Sequence, residues 1–203
     1  TMPNVQLPFS KIPDWAILIH LGFGSTRNAE NSMIELYEKI CGVKLAYGGV
    51  LAKSQKESEA LWEVREKIPE ANRKIGAIGS HDISLPLSNI STFIDRAQSE
   101  LSKIGQFRIN CFGHLGDGNL HFNVFPEAGK TKDQYASQRD VIESLVHDLT
   151  TGLEGSFSAE HGIGRSKVKD LIKYSSPVKL DLMRKLKDLF DPNGIMNPGV
   201  ILK

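Results

Sequence analysis

Cysteine is scarce in this sequence, and its two copies are not arranged for disulfide or metal chemistry. Cys41 and Cys111 lie far apart, and neither belongs to a CxxC pattern or to another spacing typical of thiolate metal sites. A chain of 203 residues, 40% of them hydrophobic, can bury enough apolar surface to fold without a covalent staple. We therefore expect two reduced cysteines in an intracellular protein and no cysteine-ligated zinc.

Long apolar runs and an excess of one charge are also lacking. The longest apolar run, residues 15–24, is too short to span a bilayer and contains His20. Residues 1–13 lack the basic start and apolar stretch of a signal peptide. Lys and Arg number 25 against 24 Asp and Glu, a net charge of +1, so no overall field favours nucleic acid or an anionic membrane. We expect a cytoplasmic globular protein that does not bind nucleic acid.

No glycine-rich phosphate loop of the GxGxxG or GxxxxGK[ST] type is present, so the chain is not expected to bind a dinucleotide alone. Helical stripes alternate irregularly with strand-like segments, and the last two of these segments flank a glycine turn as a hairpin. The segments are residues 14–24, 43–52, 77–86, 107–114 and 120–126. This order favours an α+β fold, with helices packed on a largely antiparallel sheet, over a doubly wound parallel sheet.

The hairpin "GHLGDGNLHFNV" (residues 113–124) carries two histidines that turn formation does not require. Alternation along the second strand places His121 and Asn123 on one face. Gly116 and Gly118 accept backbone angles closed to other residues, so the turn can fold His114 back beside His121. Two imidazoles are therefore predicted to converge.

A third ligand is offered by the segment "SAEHGIGRSK", where Glu160 is followed at once by His161 and a glycine-containing turn. Two histidines and a carboxylate suit Zn²⁺, Mn²⁺ or Fe²⁺ and leave positions open for substrate, as in a catalytic site. Taken singly, each of these residues is more often an ordinary polar residue of a hairpin or a surface carboxylate than a metal ligand, so both interpretations stay open. His20, His81 and His147 fit no ligand pattern and are assigned no chemistry.

Several motifs, in order along nearly the whole chain, resemble the C-terminal part of FAD-linked oxidases of the vanillyl-alcohol oxidase superfamily. They are "LWEVREKI", "HDISLP", "GHLGDGNLHFNV", "SAEHGIGRSK" and "LFDPNGIMNPGVIL". The pattern is similar to that of D-2-hydroxyglutarate and D-lactate dehydrogenases and of the glycolate oxidase flavin subunit. The resemblance implies that residues 1–203 form a ferredoxin-like cap or substrate domain. The FAD-binding domain would then lie outside this chain.

Roles follow from the resemblance by motif position. It implies His114, His121 and Glu160 as metal ligands, His161 as general base, Arg65 and Asn123 as substrate-binding residues, and Asn197 as a residue that approaches the flavin. The implied reaction oxidises a D-2-hydroxy acid to a 2-oxo acid, with hydride passing to FAD and Zn²⁺ preferred over Mn²⁺ or Fe²⁺. The partners would be the FAD-binding domain and an electron acceptor that the sequence does not name. Without that domain the chain is expected to be inactive.

Two positions depart from the D-2-hydroxyglutarate enzymes. Pro69 and Ser80 stand where those enzymes have the threonine and lysine that help to hold the distal carboxylate. The departures disfavour a five-carbon diacid and favour a smaller or different D-2-hydroxy acid.

Two other classes of function fit the same residues. A metal-dependent hydrolase or lyase without flavin can also use two histidines and a glutamate to activate water. Alternatively, the chain is a non-catalytic α+β binding module or homodimer in which the glycine turn is only architecture.

Overall fold

The computed structural model describes residues 2, 5–22, 24 and 28–202. The backbone divides into two compact units, Thr1–Lys74 and Ile75–Lys203. Across the described residues, no helix has both the length and the apolar character that a bilayer crossing requires.

The first unit is helical in its described part. It contains α1 (Ala29–Gly42), α2 (Gln55–Glu66) and all but the last residue of α3 (Ile68–Ile75). The side chain of Asn28 caps α1 by accepting the N–H groups of Glu30 and Asn31, and Ser54 caps α2 by accepting the N–H of Glu57. None of the described side chains in this unit is fully buried.

The two strands predicted in the first unit are not formed. The described residues of 14–24 and 43–52 lie outside regular secondary structure, Phe23 being outside the described part. Trp15 is 58% exposed and Tyr47 is fully exposed. The prediction is wrong because an apolar run becomes a strand only beside another strand that accepts its backbone hydrogen bonds. The described part of this unit supplies no such neighbour.

The second unit is an antiparallel sheet covered by helices. Its elements in order are β1 (Gly79–Ser84), α4 (Ile90–Ile104), β2 (Phe107–His114), β3 (Asn119–Pro126) and α5 (Arg139–Gly152). The strands lie in the order β1-β3-β2, and both pairings are antiparallel. After α5, an antiparallel bridge between Ser84 and Ser156 extends the sheet beyond β1. This βαββαβ succession is ferredoxin-like, and it confirms the predicted α+β class.

The two faces of the sheet differ in character. Ile83, Phe122 and Val124 are completely buried on one face, where they pack against α4 and α5. The rings of Phe93 and Phe122 meet edge to face with centroids 5.4 Å apart. Because successive strand residues point to opposite sides, the register that buries these residues places Asp82 and His121 together on the other face.

Two further helices follow the bridge. They are α6 (Val168–Tyr174) and α7 (Pro177–Phe190). They share a small apolar cluster in which Phe157, Leu171 and Leu180 are buried. Ser176 caps α7 by accepting the N–H of Lys179. The loop between the bridge and α6 carries the segment "SAEHGIGRSK".

Of the two turn glycines in the β2–β3 hairpin, only Gly118 has a conformation that excludes other residues. Its φ is +74°, and a Cβ atom there would lie 2.0 Å from the carbonyl oxygen of Leu85. The Leu85 N–H in turn donates to the Gly118 carbonyl at 3.0 Å. Gly116 lies in a short 3-10 helix, has no positive φ, and would meet no atom within 4 Å. The expectation that both glycines are needed is therefore corrected for Gly116.

We predict that Gly118→Ala lowers the free energy of unfolding by about 2 kcal/mol or more, because it adds left-handed strain and a backbone clash. Gly116→Ala is the matched control and should change it by less than about 0.5 kcal/mol. Urea denaturation of both variants measures the difference. Equal stabilities would show that the hairpin does not depend on this backbone angle.

Candidate active site

The carboxylate of Asp82 lies at the centre of the polar face of the sheet and is 3% exposed. Its Oδ2 atom accepts the backbone N–H groups of Glu160 at 2.7 Å and of His161 at 2.8 Å. Its Oδ1 atom accepts the side-chain amide of Asn119 at 2.8 Å. The Ala159 N–H also donates to the Asp82 carbonyl at 3.2 Å. These bonds hold the loop that carries Glu160 and His161 against the middle of β1.

Opposing effects act on the pKa of Asp82. Burial by itself raises the pKa, because it disfavours the charged form. The backbone donors of His161 and Glu160, the Asn119 amide and the nearby His161 ring outweigh burial and hold the pKa below its usual value. Asp82 is therefore a fixed negative charge at neutral pH.

His121 and Glu160 converge beside this carboxylate. The Nδ1 atom of His121 lies 3.8 Å from Oδ1 of Asp82, and its Nε2 atom lies 3.9 Å from Oε2 of Glu160. One potential ligand atom from each of the three residues lies within 4.8 Å of the others. The side chain of His121 is 18% exposed and that of Glu160 is 48% exposed. The cluster thus opens from a buried carboxylate to an accessible edge, where a small ligand can enter.

The imidazole of His161 flanks the same carboxylate. Its Nδ1 atom is 3.4 Å from Oδ2 of Asp82, while 69% of the side chain is exposed. Its ring centroid is 6.0 Å from that of His121. A carboxylate beside Nδ1 favours the tautomer with the proton on Nδ1, which leaves Nε2 as a proton acceptor. The geometry therefore suits a base next to a group of potential metal ligands.

His114 is placed differently from the sequence-based expectation. It ends β2 opposite Asn119, on the same face of the sheet as His121, and is exposed. Within the described part of the chain, the groups of three potential ligands that come close together do not include His114, and Asp82 accompanies His121 and Glu160 instead. The ligand role of His114 stays a prediction.

The other predicted site residues occupy separate places. The side-chain amide of Asn123, 6% exposed, donates to the carbonyls of His121 at 3.2 Å and Asn110 at 3.4 Å. Arg65 is half-buried in the last turn of α2, within the first unit. Asn197 is exposed after α7, with a φ of +46°. Their substrate-binding and flavin-contacting roles stay predictions.

Sequence reasoning missed Asp82 and Asn119. A signal for Asp82 was available, because aspartate is depleted in strands and alternation in "SHDIS" places it on the polar side with Ser80 and Ser84. Asn119 reads as an ordinary turn residue in "GDGN", since asparagine is favoured in turns. Its bond to Asp82 depends on the pairing of β1 with β3, which local sequence does not specify.

Comparison with known proteins shows the family to which the chain belongs. The family described as FAD linked oxidases, C-terminal domain, matches residues 6–201. The chain belongs to this family. The family resemblance predicted from the motifs is thereby confirmed.

The relatives that match the chain include D-2-hydroxyglutarate dehydrogenases. The mitochondrial enzyme of Bos taurus is 37% identical over 200 residues, which are 98% of this chain and 35% of the relative. The mitochondrial enzyme of Arabidopsis thaliana is 32% identical over 201 residues, 99% of this chain and 35% of the relative. The enzyme of Stutzerimonas stutzeri is 36% identical over 200 residues, 98% of this chain and 42% of the relative. The chain thus spans well under half the length of these relatives.

The names of two of these relatives specify mitochondria. The cytoplasmic location predicted from the sequence is therefore not confirmed and stays a prediction.

We predict that Asp82→Asn lowers the free energy of unfolding by about 2–4 kcal/mol, because hydrogen bonds to a charged group contribute about 1.5–3 kcal/mol each and more than one is weakened. The depressed pKa in the folded state adds a pH dependence. The ionised Asp82 contributes its full stabilisation above the unfolded-state pKa of about 4. This contribution is lost as the pH falls through the lower, folded-state pKa.

Urea denaturation between pH 7 and pH 2 measures both effects. The Asn variant should lose less stability than the parent protein below about pH 4. Asp95→Asn, at an exposed position on α4, is the control and should change neither quantity. Parallel acid profiles for Asp82→Asn and the parent would contradict the anchoring role of Asp82.

Proposed function

We propose that this chain is the cap domain of an FAD-dependent dehydrogenase that oxidises a D-2-hydroxy acid to a 2-oxo acid. The observation that carries the proposal is the convergence of His121, Glu160 and His161 around the buried Asp82 carboxylate in a chain of the FAD-linked oxidase family. The FAD-binding domain would be the partner of this cap. When bound, FAD would accept hydride from C2 of the substrate.

A divalent cation fits the donor set. His121 and Glu160 present an imidazole and a carboxylate, and His114 lies on the same face of the sheet, a donor combination that suits Zn²⁺ over Mg²⁺ or Ca²⁺. Both oxygens of Asp82 already accept hydrogen bonds, so we assign it to positioning and His114, His121 and Glu160 to the cation. Bound there, the cation would act as a Lewis acid that lowers the pKa of the substrate hydroxyl.

His161 is the proposed general base. The carboxylate of Asp82 accepts the backbone N–H of His161 and lies beside Nδ1 of its ring. This orients the ring so that Nε2 is available to take the proton of the substrate hydroxyl. Arg65 is proposed to bind the substrate carboxylate with its planar guanidinium. Asn123 is proposed to hydrogen-bond the substrate, and Asn197 to approach the flavin.

A flavin-free hydrolase remains the second candidate, since the same donors can activate water. Family membership favours redox chemistry. Purification of the full-length protein that contains this chain separates the two: bleaching of a bound flavin by a D-2-hydroxy acid supports the proposal, and a protein without flavin that hydrolyses its substrate refutes it.

We predict that His121→Ala and Glu160→Gln in the full-length protein each lower the metal content by one equivalent and abolish activity, because each removes a ligand of the cation at the candidate active site. His161→Gln should retain the metal and lower kcat by about 10²–10⁴-fold, the usual contribution of a general base. Metal analysis and dye-coupled turnover measure both properties.

Glu100→Gln is the matched control for the carboxylate, because Glu100 lies on the outer side of α4 in a surface ion pair with Lys103. It should change neither metal content nor activity. A fully active His121→Ala variant, or a His161→Gln variant that loses its metal, would exclude the assigned roles.

We propose that Ser80 influences which length of substrate side chain the enzyme prefers. Ser80 is exposed and lies opposite Asn123, on the same face as Asp82 and His121. A lysine at this position places an ammonium group on the face that carries the site. The serine therefore leaves a second, distal carboxylate without that partner.

We predict that Ser80→Lys in the full-length protein raises kcat/KM for D-2-hydroxyglutarate relative to D-lactate about tenfold, equivalent to about 1.4 kcal/mol of added transition-state binding. Ser91→Lys, at an exposed position on α4, is the control for added charge. Steady-state kinetics with both acids measure the ratio. An unchanged ratio in Ser80→Lys would remove this position from substrate recognition.

A further inference from the structure

A second group of potential ligands lies on the helical side of the sheet. Glu143 and His147 are four residues apart on α5 and therefore share a face of that helix. Asp170, in the first turn of α6, faces them. One ligand atom from each residue lies within 4.8 Å of the others. The group is separate from the candidate active site, because His81, which contacts His147 with ring centroids 5.5 Å apart, points to the opposite side of β1 from its neighbour Asp82.

The imidazole of His147 shows that this group is more than a patch of surface acids. Its side chain is 1% exposed, and Nδ1 lies 3.3 Å from Oδ1 of Asp170. Nevertheless, Nδ1 makes no hydrogen bond. A buried polar atom without a partner is costly, and a cation between His147 and the carboxylates would provide one.

Apart from the contact between Asp170 and His147, neither Glu143 nor Asp170 forms an ion pair among the described residues. Lys167 is nearby, but its ammonium donates to the Phe157 carbonyl and the Ser158 hydroxyl, both at 3.2 Å. Lys167 interacts electrostatically with both carboxylates, but no ion pair joins it to either of them in the described part of the chain.

The spacing and chemistry of the group fit a small divalent cation. Ligands that are each about 2.1 Å from a tetrahedral Zn²⁺ lie roughly 3.4 Å apart. Nδ1 of His147 and Oδ1 of Asp170 already have this spacing, at 3.3 Å, and groups within 4.8 Å of one another need to approach by at most about 1.4 Å. One imidazole and two carboxylates suit Zn²⁺ or Mn²⁺.

We propose that Glu143, His147 and Asp170 form a structural cation site, with Zn²⁺ as the preferred ion. Such an ion links α5 to α6 and stabilises the end of the loop that carries Glu160 and His161. The site does not depend on the proposed oxidation chemistry, and it can be tested in protein whose candidate active site has been disabled.

The test uses the chain with His121→Ala, freed of metal with a chelator and titrated with Zn²⁺ by calorimetry and by thermal unfolding. We expect one equivalent of Zn²⁺ to bind and Tm to rise by several degrees. Adding Asp170→Asn should abolish both effects, and Glu143→Gln should do the same. Asp140→Asn, at an exposed position on α5, is the matched control and should preserve both.

Hydrogen exchange of α6 in the His121→Ala protein provides a second measurement that needs no further variant. Zn²⁺ should slow exchange of the α6 amides, because the ion holds that helix on α5. The proposal is overturned if the His121→Ala protein binds no Zn²⁺, if bound Zn²⁺ survives the Asp170 and Glu143 substitutions, or if the exchange of α6 is unchanged.

Discussion

The carboxylate of Asp82 is the interaction on which the candidate active site depends. Three donors, two from the loop after the bridge and one from Asn119 on β3, end on its two oxygens. All three donors lie outside β1, in segments that are distant from Asp82 along the chain. Because a buried carboxylate without donors is strongly disfavoured, this group favours the conformation in which the loop and the hairpin meet. Glu160 and His161 are thereby positioned beside His121.

Because side chains alternate along its strands, the sheet has an apolar face that packs in the core and a polar face that carries the candidate active site. One face buries Ile83, Phe122 and Val124 in the core against α4 and α5. The other face carries Asp82 and His121. A site built on a packed sheet holds its groups more closely than a site built on loops alone. Here the backbone hydrogen bonds to Asp82 join the loop that carries Glu160 and His161 to that sheet.

Family membership and geometry support each other on different points. The match over residues 6–201 establishes a relationship to FAD-linked oxidases and says nothing of which side chains meet. The coordinates bring His121, Glu160 and His161 around one carboxylate, and this arrangement is also compatible with water activation. Only together do they support the proposed oxidation of a 2-hydroxy acid, in which the cap would supply the base and the substrate contacts.

The sequence by itself determined the α+β class, the β2–β3 hairpin and the shared face of His121 and Asn123. These features depend on periodicity and turn chemistry over a few residues. Only the tertiary structure decided that Asp82 joins His121 and Glu160, that His147 is buried beside Asp170, and that residues 14–22 form no strand. The reason is physical: a strand needs a neighbouring strand and a buried charge needs donors, and both come from segments distant along the chain.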